Sequence, residues 1–200
     1  MALHDVRLRR SHVDPPADVL DLSIATEERA RRFIEQRAPE SRIAEFQASN
    51  LWVAYLALQE LLDRDLVAGR SFCEWGSGMG GVTCLAALLG FDACGIEIEP
   101  DLVTEARSLA SDFQLPARFY DGSFKPSGAY RGELAMGEVE RDLGFEPTRF
   151  DVVYVYPWPA EERVILELFD YGASSGSLLV TYHGRGAFRA RRKVTQTGVS

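Results

Sequence analysis

A doubly wound α/β fold with a mostly parallel sheet, preceded by an N-terminal helical extension, is what this 200-residue sequence predicts. Three observations carry that expectation. Short apolar runs alternate with segments whose apolar residues recur at helical spacing. A glycine-rich turn, residues 76–81, follows the first such run and leads straight into a helix. The run Phe-Asp-Val-Val-Tyr-Val at 150–155 is nearly continuous in apolar character, as a strand buried on both faces requires.

In chain order, residues 1–25 hold Pro15 and Pro16 and read as an arm or cap. A helix is expected from Thr26, which has a capping side chain and acids in the following turn. A second follows Ser49-Asn50, with apolar residues at 51, 54, 55, 58 and 62, and breaks at Gly69. Then come a strand at 71–75, a helix carrying Val82, Leu85, Ala86 and Leu89 and stopped by Gly90, and a strand at 93–97. Pro100 opens a helix with the stripe Leu102, Ala106, Leu109 and Phe113. Strands at 117–120, 150–155 and 177–182 follow, with a helix at 160–171 between the last two. Residues 125–149 suggest one irregular helix and, lying over the ligand edge of such a sheet, a lid. Only one more strand, at 187–194, fits before the chain ends. The sheet therefore has six strands, or the N-terminal arm completes it. The division expected is an arm or helical cap at 1–48 and a ligand-binding domain at 49–200.

Composition excludes several classes. Charged residues make up 26% and hydrophobic residues 46%, which argues for a folded domain. No apolar run is long enough for a bilayer and no signal peptide is evident, so a cytoplasmic location is expected. Cys73, Cys84 and Cys94 lie in apolar segments with no ligand spacing, so they read as buried free thiols, and no metal site is expected. The net charge of −8 is concentrated in residues 71–184. An acidic body repels a phosphate backbone, so nucleic acid is disfavoured as a partner. The basic cluster Arg185, Arg189, Arg191, Arg192 and Lys193 reads as the charged side chains of an edge strand or a terminus.

The segment Cys73–Gly81 carries the chemistry. Gly76, Gly78 and Gly80 follow a strand and precede a helix, where a side chain would block a ligand from the backbone. The glycines alone also fit the dinucleotide pattern GxGxxG. Glu97 ends the next strand, where a carboxylate can accept from two ribose hydroxyls. Glu74 lies two residues before Gly76. It suits a ligand with a cationic end and would repel a pyrophosphate.

The stretch from Phe72 to Arg107 resembles the first two motifs of the class I S-adenosylmethionine (SAM)-dependent methyltransferases: an acid, one residue, GxGxG, then a second acid after a glycine–hydrophobic step. The resemblance spans about residues 45–182 and implies SAM as cofactor. It implies that Glu74, Gly76, Ser77, Gly78 and Gly80 surround the methionine part, that Glu97 binds the ribose, and that Ile98 packs on the adenine. Where the family has an acid for the adenine amine, this chain has Ser123, with Asp121 two residues earlier, and either can serve.

The acceptor belongs beyond the carboxyl ends of the strands. Tyr156, Pro157, Trp158 and Pro159 occupy the place of the family's Asp/Asn-Pro-Pro-aromatic loop, without its amide or carboxylate, which disfavours a base amine such as adenine N6 as acceptor. Tyr156 can accept through its hydroxyl, Trp158 can hold an ammonium on its face, and His183, at the end of the next strand, stands where a general base is wanted. His4 and His12 lie in the unpatterned arm. The leading expectation is a methyltransferase acting on an amine or hydroxyl of a small molecule or protein side chain. A non-catalytic SAM-binding partner subunit and an NAD-binding oxidoreductase are the alternatives.

Overall fold

The computed structural model describes residues 3–8, 14–36, 49–158, 160–184 and 186–195. Strand β1 is Leu3–Val6, followed by helices α1, Ala17–Glu35, and α2, Leu51–Asp63. The alternating part runs β2, Ser71–Trp75; α3, Gly81–Leu88; β3, Asp92–Glu97; α4, Pro100–Asp112; and β4, Arg118–Asp121. A 3-10 turn at Ala129–Arg131 and α5, Met136–Leu143, lie between β4 and β5, Val152–Val155. Helix α6, Glu162–Gly172, and strands β6, Leu178–Tyr182, and β7, Phe188–Lys193, complete the order.

All seven strands join one sheet in the order β1-β7-β6-β5-β2-β3-β4. Strands β2 to β6 pair in parallel, while β7 runs antiparallel to β6 and β1 antiparallel to β7. Because strand side chains alternate, each parallel strand feeds two cores. Phe72, Ala93, Val152, Tyr154, Leu178 and Val180 pack under the first four helices. Cys73, Trp75, Ile96, Val153, Val155 and Leu179 pack with α5 and α6.

The arm completes the sheet. Leu3 stands opposite Lys193 and Val6 opposite Ala190, so β1, not β7, is the edge. That corrects the reading of the basic cluster as edge or terminal charge. Arg189 pairs with Glu162 at 3.2 Å, Arg191 with Asp5 at 3.3 Å, and Lys193 with Asp170 at 2.7 Å. Arg185 and the expected boundary at residue 48 lie outside the described residues. So do His12 and Pro159.

Helix α1 starts at Ala17, well before Thr26. Pro16 sits at its N-cap, where a missing N–H costs nothing, and Val19, Leu22, Thr26 and Ala30 form its buried stripe. Thr26 is therefore internal, and its hydroxyl donates to the Leu22 carbonyl at 2.7 Å. The other helix ends follow the local signals: the Asn50 side chain caps α2 by accepting from Val53 N–H at 3.0 Å, and Pro100 is the first residue of α4.

Candidate functional site

The chain winds outward from β2 through β3 to β4, then returns to the other side of β2 as β5. The carboxyl ends of strands part at that reversal, which is where an open α/β sheet holds a ligand. A cavity of about 290 Å³ opens there. Its wall takes in Glu74, Gly76, Ser77, Gly78, Glu97, Ile98 and Ser123 together with Lys125, Tyr156, Trp158 and Glu161.

The turn after β2 is built from left-handed glycines. Gly76 has φ of 74°, and a Cβ there would meet nothing within 4 Å, so it would project into open space. The Gly76 and Ser77 amides donate to the Ile96 carbonyl, each at 2.9 Å, tying the turn to β3. The Ser77 hydroxyl is buried without a hydrogen-bond partner among the described residues and lies against Gly95. Gly80 has φ of 76°, but a Cβ there would come within 2.5 Å of the Phe119 ring and 2.8 Å of Ala106. Gly80 thus serves packing behind the turn and is absent from the cavity wall.

The two acids are held differently. Glu97 Oε2 accepts from Gly78 N–H at 2.8 Å, and Oε1 accepts from Ile98 N–H at 2.8 Å and Glu99 N–H at 3.0 Å. A carboxylate offers about four acceptor sites, so one remains for a ligand hydroxyl. Glu74 is 4% exposed, and its Oε2 accepts from the Thr83 N–H at 2.9 Å and the Thr83 hydroxyl at 2.6 Å, at the start of α3. Burial pushes its carboxyl up to about 8; the two Thr83 bonds oppose that rise and the Glu97 carboxylate adds to it.

Ile98 is 64% exposed, an apolar side chain left open at the cavity wall. Ser123 lines the cavity as well, but its hydroxyl is engaged with the backbone of Lys125, donating to the carbonyl at 2.9 Å and accepting from the N–H at 3.0 Å. Asp121 is exposed and outside the wall.

Tyr156 packs edge-on against Tyr182 with ring centres 4.8 Å apart, and burial raises its phenol above the usual range. Trp158 is partly exposed. His183 does not join them. It is missing from the cavity wall, and its Nε2 lies 2.8 Å from the Thr181 hydroxyl. Alternation along β6 puts Leu178, Val180 and Tyr182 on the face of Tyr154, so Thr181 points to the opposite face. There burial lowers the imidazole's pKa, partly offset by Glu162 and reinforced by Arg189 and Arg191.

Three wall features escaped the sequence reading. Thr26 reaches the cavity from α1, so the arm is part of the site. Ser49 lines it too and meets the Tyr154 hydroxyl at 3.1 Å. The third is a charged cluster. Glu161 Oε1 accepts from Lys125 Nζ and from the Tyr130 hydroxyl, the latter at 2.7 Å, while Oε2 accepts from Trp158 N–H at 3.3 Å. Burial works against both charges. Even so, the mutual hydrogen bonds hold Lys125 above and Glu161 below its ordinary pKa. No local pattern announces partners 36 and 31 residues apart.

The sequence matches no family model and no curated protein. Solved structures do match. An RNA methyltransferase from Salinibacter ruber, in complex with S-adenosyl-L-homocysteine, is 21% identical with a TM-score of 0.52, over 78% of this chain and 98% of that one. A Pyrococcus horikoshii protein described as a putative RNA methyltransferase is 15% identical at TM-score 0.51, over 81% and 72%. A 16S rRNA N2 methyltransferase from T. thermophilus, in complex with AdoMet and guanosine, is 14% identical at TM-score 0.52, over 76% of this chain and 45% of its own. This chain has the class I methyltransferase fold.

Those RNA methyltransferases overturn the expectation that nucleic acid is a disfavoured partner. Net charge is a sum over the whole surface, whereas recognition is local to one face. An acidic body therefore does not decide the matter. No helix among the described residues is long and apolar enough to cross a membrane.

Proposed function

We propose that the chain is a SAM-dependent methyltransferase whose acceptor is a base in RNA. The observation that carries the cofactor assignment is Glu97, fixed by three backbone N–H groups at the end of β3 with acceptor capacity to spare, beside open space over Gly76. SAM supplies a methyl group made electrophilic by its sulfonium. In this reading Glu97 accepts from a ribose hydroxyl, exposed Ile98 covers the adenine, and Glu74 faces the ammonium. The Gly76 turn leaves room for the methionine part. Burial holds the Glu74 carboxyl protonated up to about pH 8; a cationic ammonium beside it would favour its carboxylate, whereas the pyrophosphate of NAD would not.

The acceptor assignment rests on the shared fold of the RNA methyltransferases and on the aromatic side chains of the cavity wall. Tyr156 and Trp158 offer faces on which an unstacked base can rest. Their work is positioning, which can supply most of what a direct methyl transfer needs. His183 has no part in this proposal, because its ring is held by Thr181 away from the cavity wall.

The test is transfer of tritium from methyl-labelled SAM into RNA, protein and small amine or alcohol pools offered separately. Counts in RNA support the reading. Counts only in protein or in a small amine or hydroxyl compound would move the acceptor there. SAM binding without transfer to any pool would leave a non-catalytic SAM-binding subunit.

A further inference from the structure

We propose that Lys125 and Glu161 form a fixed donor–acceptor pair that reads the base-pairing edge of the acceptor; this rests on the RNA reading above. The two side chains share one cavity wall but come from different segments, the loop after β4 and the N-terminus of α6. Tyr130, from the 3-10 turn of the insertion, closes the cluster: Lys125 Nζ donates to its hydroxyl at 3.1 Å, and that hydroxyl donates to Glu161. Lys125 also lies 5.2 Å from the centres of both the Phe124 and Tyr130 rings. Phe124 is itself stacked on buried Trp75 at 4.9 Å. The ammonium is thus held from several sides, though a free lysine is among the most mobile side chains.

The cluster leaves some of its hydrogen-bonding positions unused among the described residues. An ammonium has three donors, and among the described residues Nζ uses two, on Glu161 and Tyr130. Glu161 Oε1 is occupied twice, whereas Oε2 takes a single long bond from Trp158 N–H. One donor and at least one acceptor therefore remain, side by side. The pair is net neutral and its carboxylate would repel a phosphate, so a phosphate is the wrong guest. A base edge, on which a ring nitrogen adjoins a carbonyl or amino group, presents the complementary neighbouring acceptor and donor. Lys125 and Glu161 contact the acceptor in this proposal, while Tyr130 is a positioning residue acting through them. The Trp158 N–H bond also links the reading pair to the aromatic wall, so edge and face of the base would be held together.

The experiment uses methyl-labelled SAM with four homopolymer RNAs and a mixed-sequence single-stranded transcript. Wild type is compared with Lys125→Met, Glu161→Gln, Tyr130→Phe and Lys125→Arg, and S-adenosylhomocysteine affinity is measured on each as a control of fold and cofactor site. Loss of a charge-assisted hydrogen bond should raise the RNA KM of Lys125→Met and Glu161→Gln by about tenfold or more. Cofactor affinity should not change, and Lys125→Arg should recover part of the loss. Tyr130→Phe should change KM less than either. Transfer to RNA by the wild type with an unchanged KM in Lys125→Met and Glu161→Gln overturns the pair alone. Loss of cofactor affinity in step with KM also overturns it, since the cluster would then be a structural latch. A wild type that binds the cofactor and methylates none of the RNAs removes the RNA reading and this inference with it.

Discussion

Gly76 and Gly80 share a left-handed backbone, at φ of 74° and 76°, yet guard different spaces. A methyl group on Gly80 would strike Phe119 and Ala106, whereas one on Gly76 would enter the cavity. Gly80→Ala should therefore lose about 1–3 kcal/mol of stability through overpacking, on top of the backbone penalty of its left-handed φ. Gly76→Ala should carry only the backbone penalty, about 1–2 kcal/mol, and should lose S-adenosylhomocysteine affinity as well. Thermal melts and titration calorimetry on both variants separate the effects; a Gly76→Ala protein that binds as wild type would place the ligand elsewhere. Glu74 makes a second prediction. Its folded pKa near 8 exceeds the ordinary 4.5, so between those values the folded state holds a proton that the unfolded chain releases. Stability should fall as pH rises through that window and level off above it. Glu74→Gln should flatten the profile and melt higher than wild type at about pH 9. A cationic ligand group beside Glu74 would favour its carboxylate, so cofactor binding below pH 8 should release a proton. Calorimetry in buffers of different ionisation enthalpy measures that release, and none at all would argue against contact with the ammonium.

At the scale of elements, α1 changes from an appendage into a wall. Ala30 packs with Met79 of the glycine turn and Leu102 of α4, and Thr26 reaches the cavity. Arg29 fastens the helix to α4, bonding to Glu105 at 3.3 Å, Ser108 at 3.2 Å and also to Asp112. The carboxylates are substantially exposed, so the ion pairs are screened, and Arg29→Ala should cost only about 1 kcal/mol of stability. Its informative signature is local. Hydrogen exchange should speed up in α1 more than in β2 or β5, and cofactor dissociation should accelerate if α1 closes over the ligand. Exchange that rises uniformly would mean that α1 unfolds only with the whole domain. The strand pair β1–β7 works on the same principle at the far edge, where Arg191 bridges Asp5 and Glu162.

For the molecule as a whole, sheet, arm and insertion all converge on one cavity, so a ligand bound there should stabilise the entire fold. At a free concentration about one hundred times Kd, linkage predicts roughly 2.7 kcal/mol. For a chain of this length that should raise Tm by about 5–10 °C. S-adenosylhomocysteine should give that shift and NAD none. The reverse result would withdraw the cofactor proposal while leaving the fold untouched, since the same topology can hold either ligand.

How much was legible before folding follows from the range of each interaction. The alternation of strands and helices, the glycine turn, and the acids at 74 and 97 are local facts. They depend on backbone sterics, side-chain periodicity and neighbours a few residues apart, so the sequence alone carries them. It also carried the choice between six strands and an arm-completed sheet as a question, because no periodicity in four residues could say which strand Leu3–Val6 would meet. Tertiary structure answered that through β7 and turned the basic cluster from edge charge into ion pairs. It also left His183 out of the cavity wall that Tyr156 lines, its ring bonded to the Thr181 hydroxyl instead. It moved Gly80 from ligand contact to packing and joined Lys125, Tyr130 and Glu161 across three segments. Those outcomes depend on distances between residues remote in the chain, which exist only once the sheet has closed over its two cores.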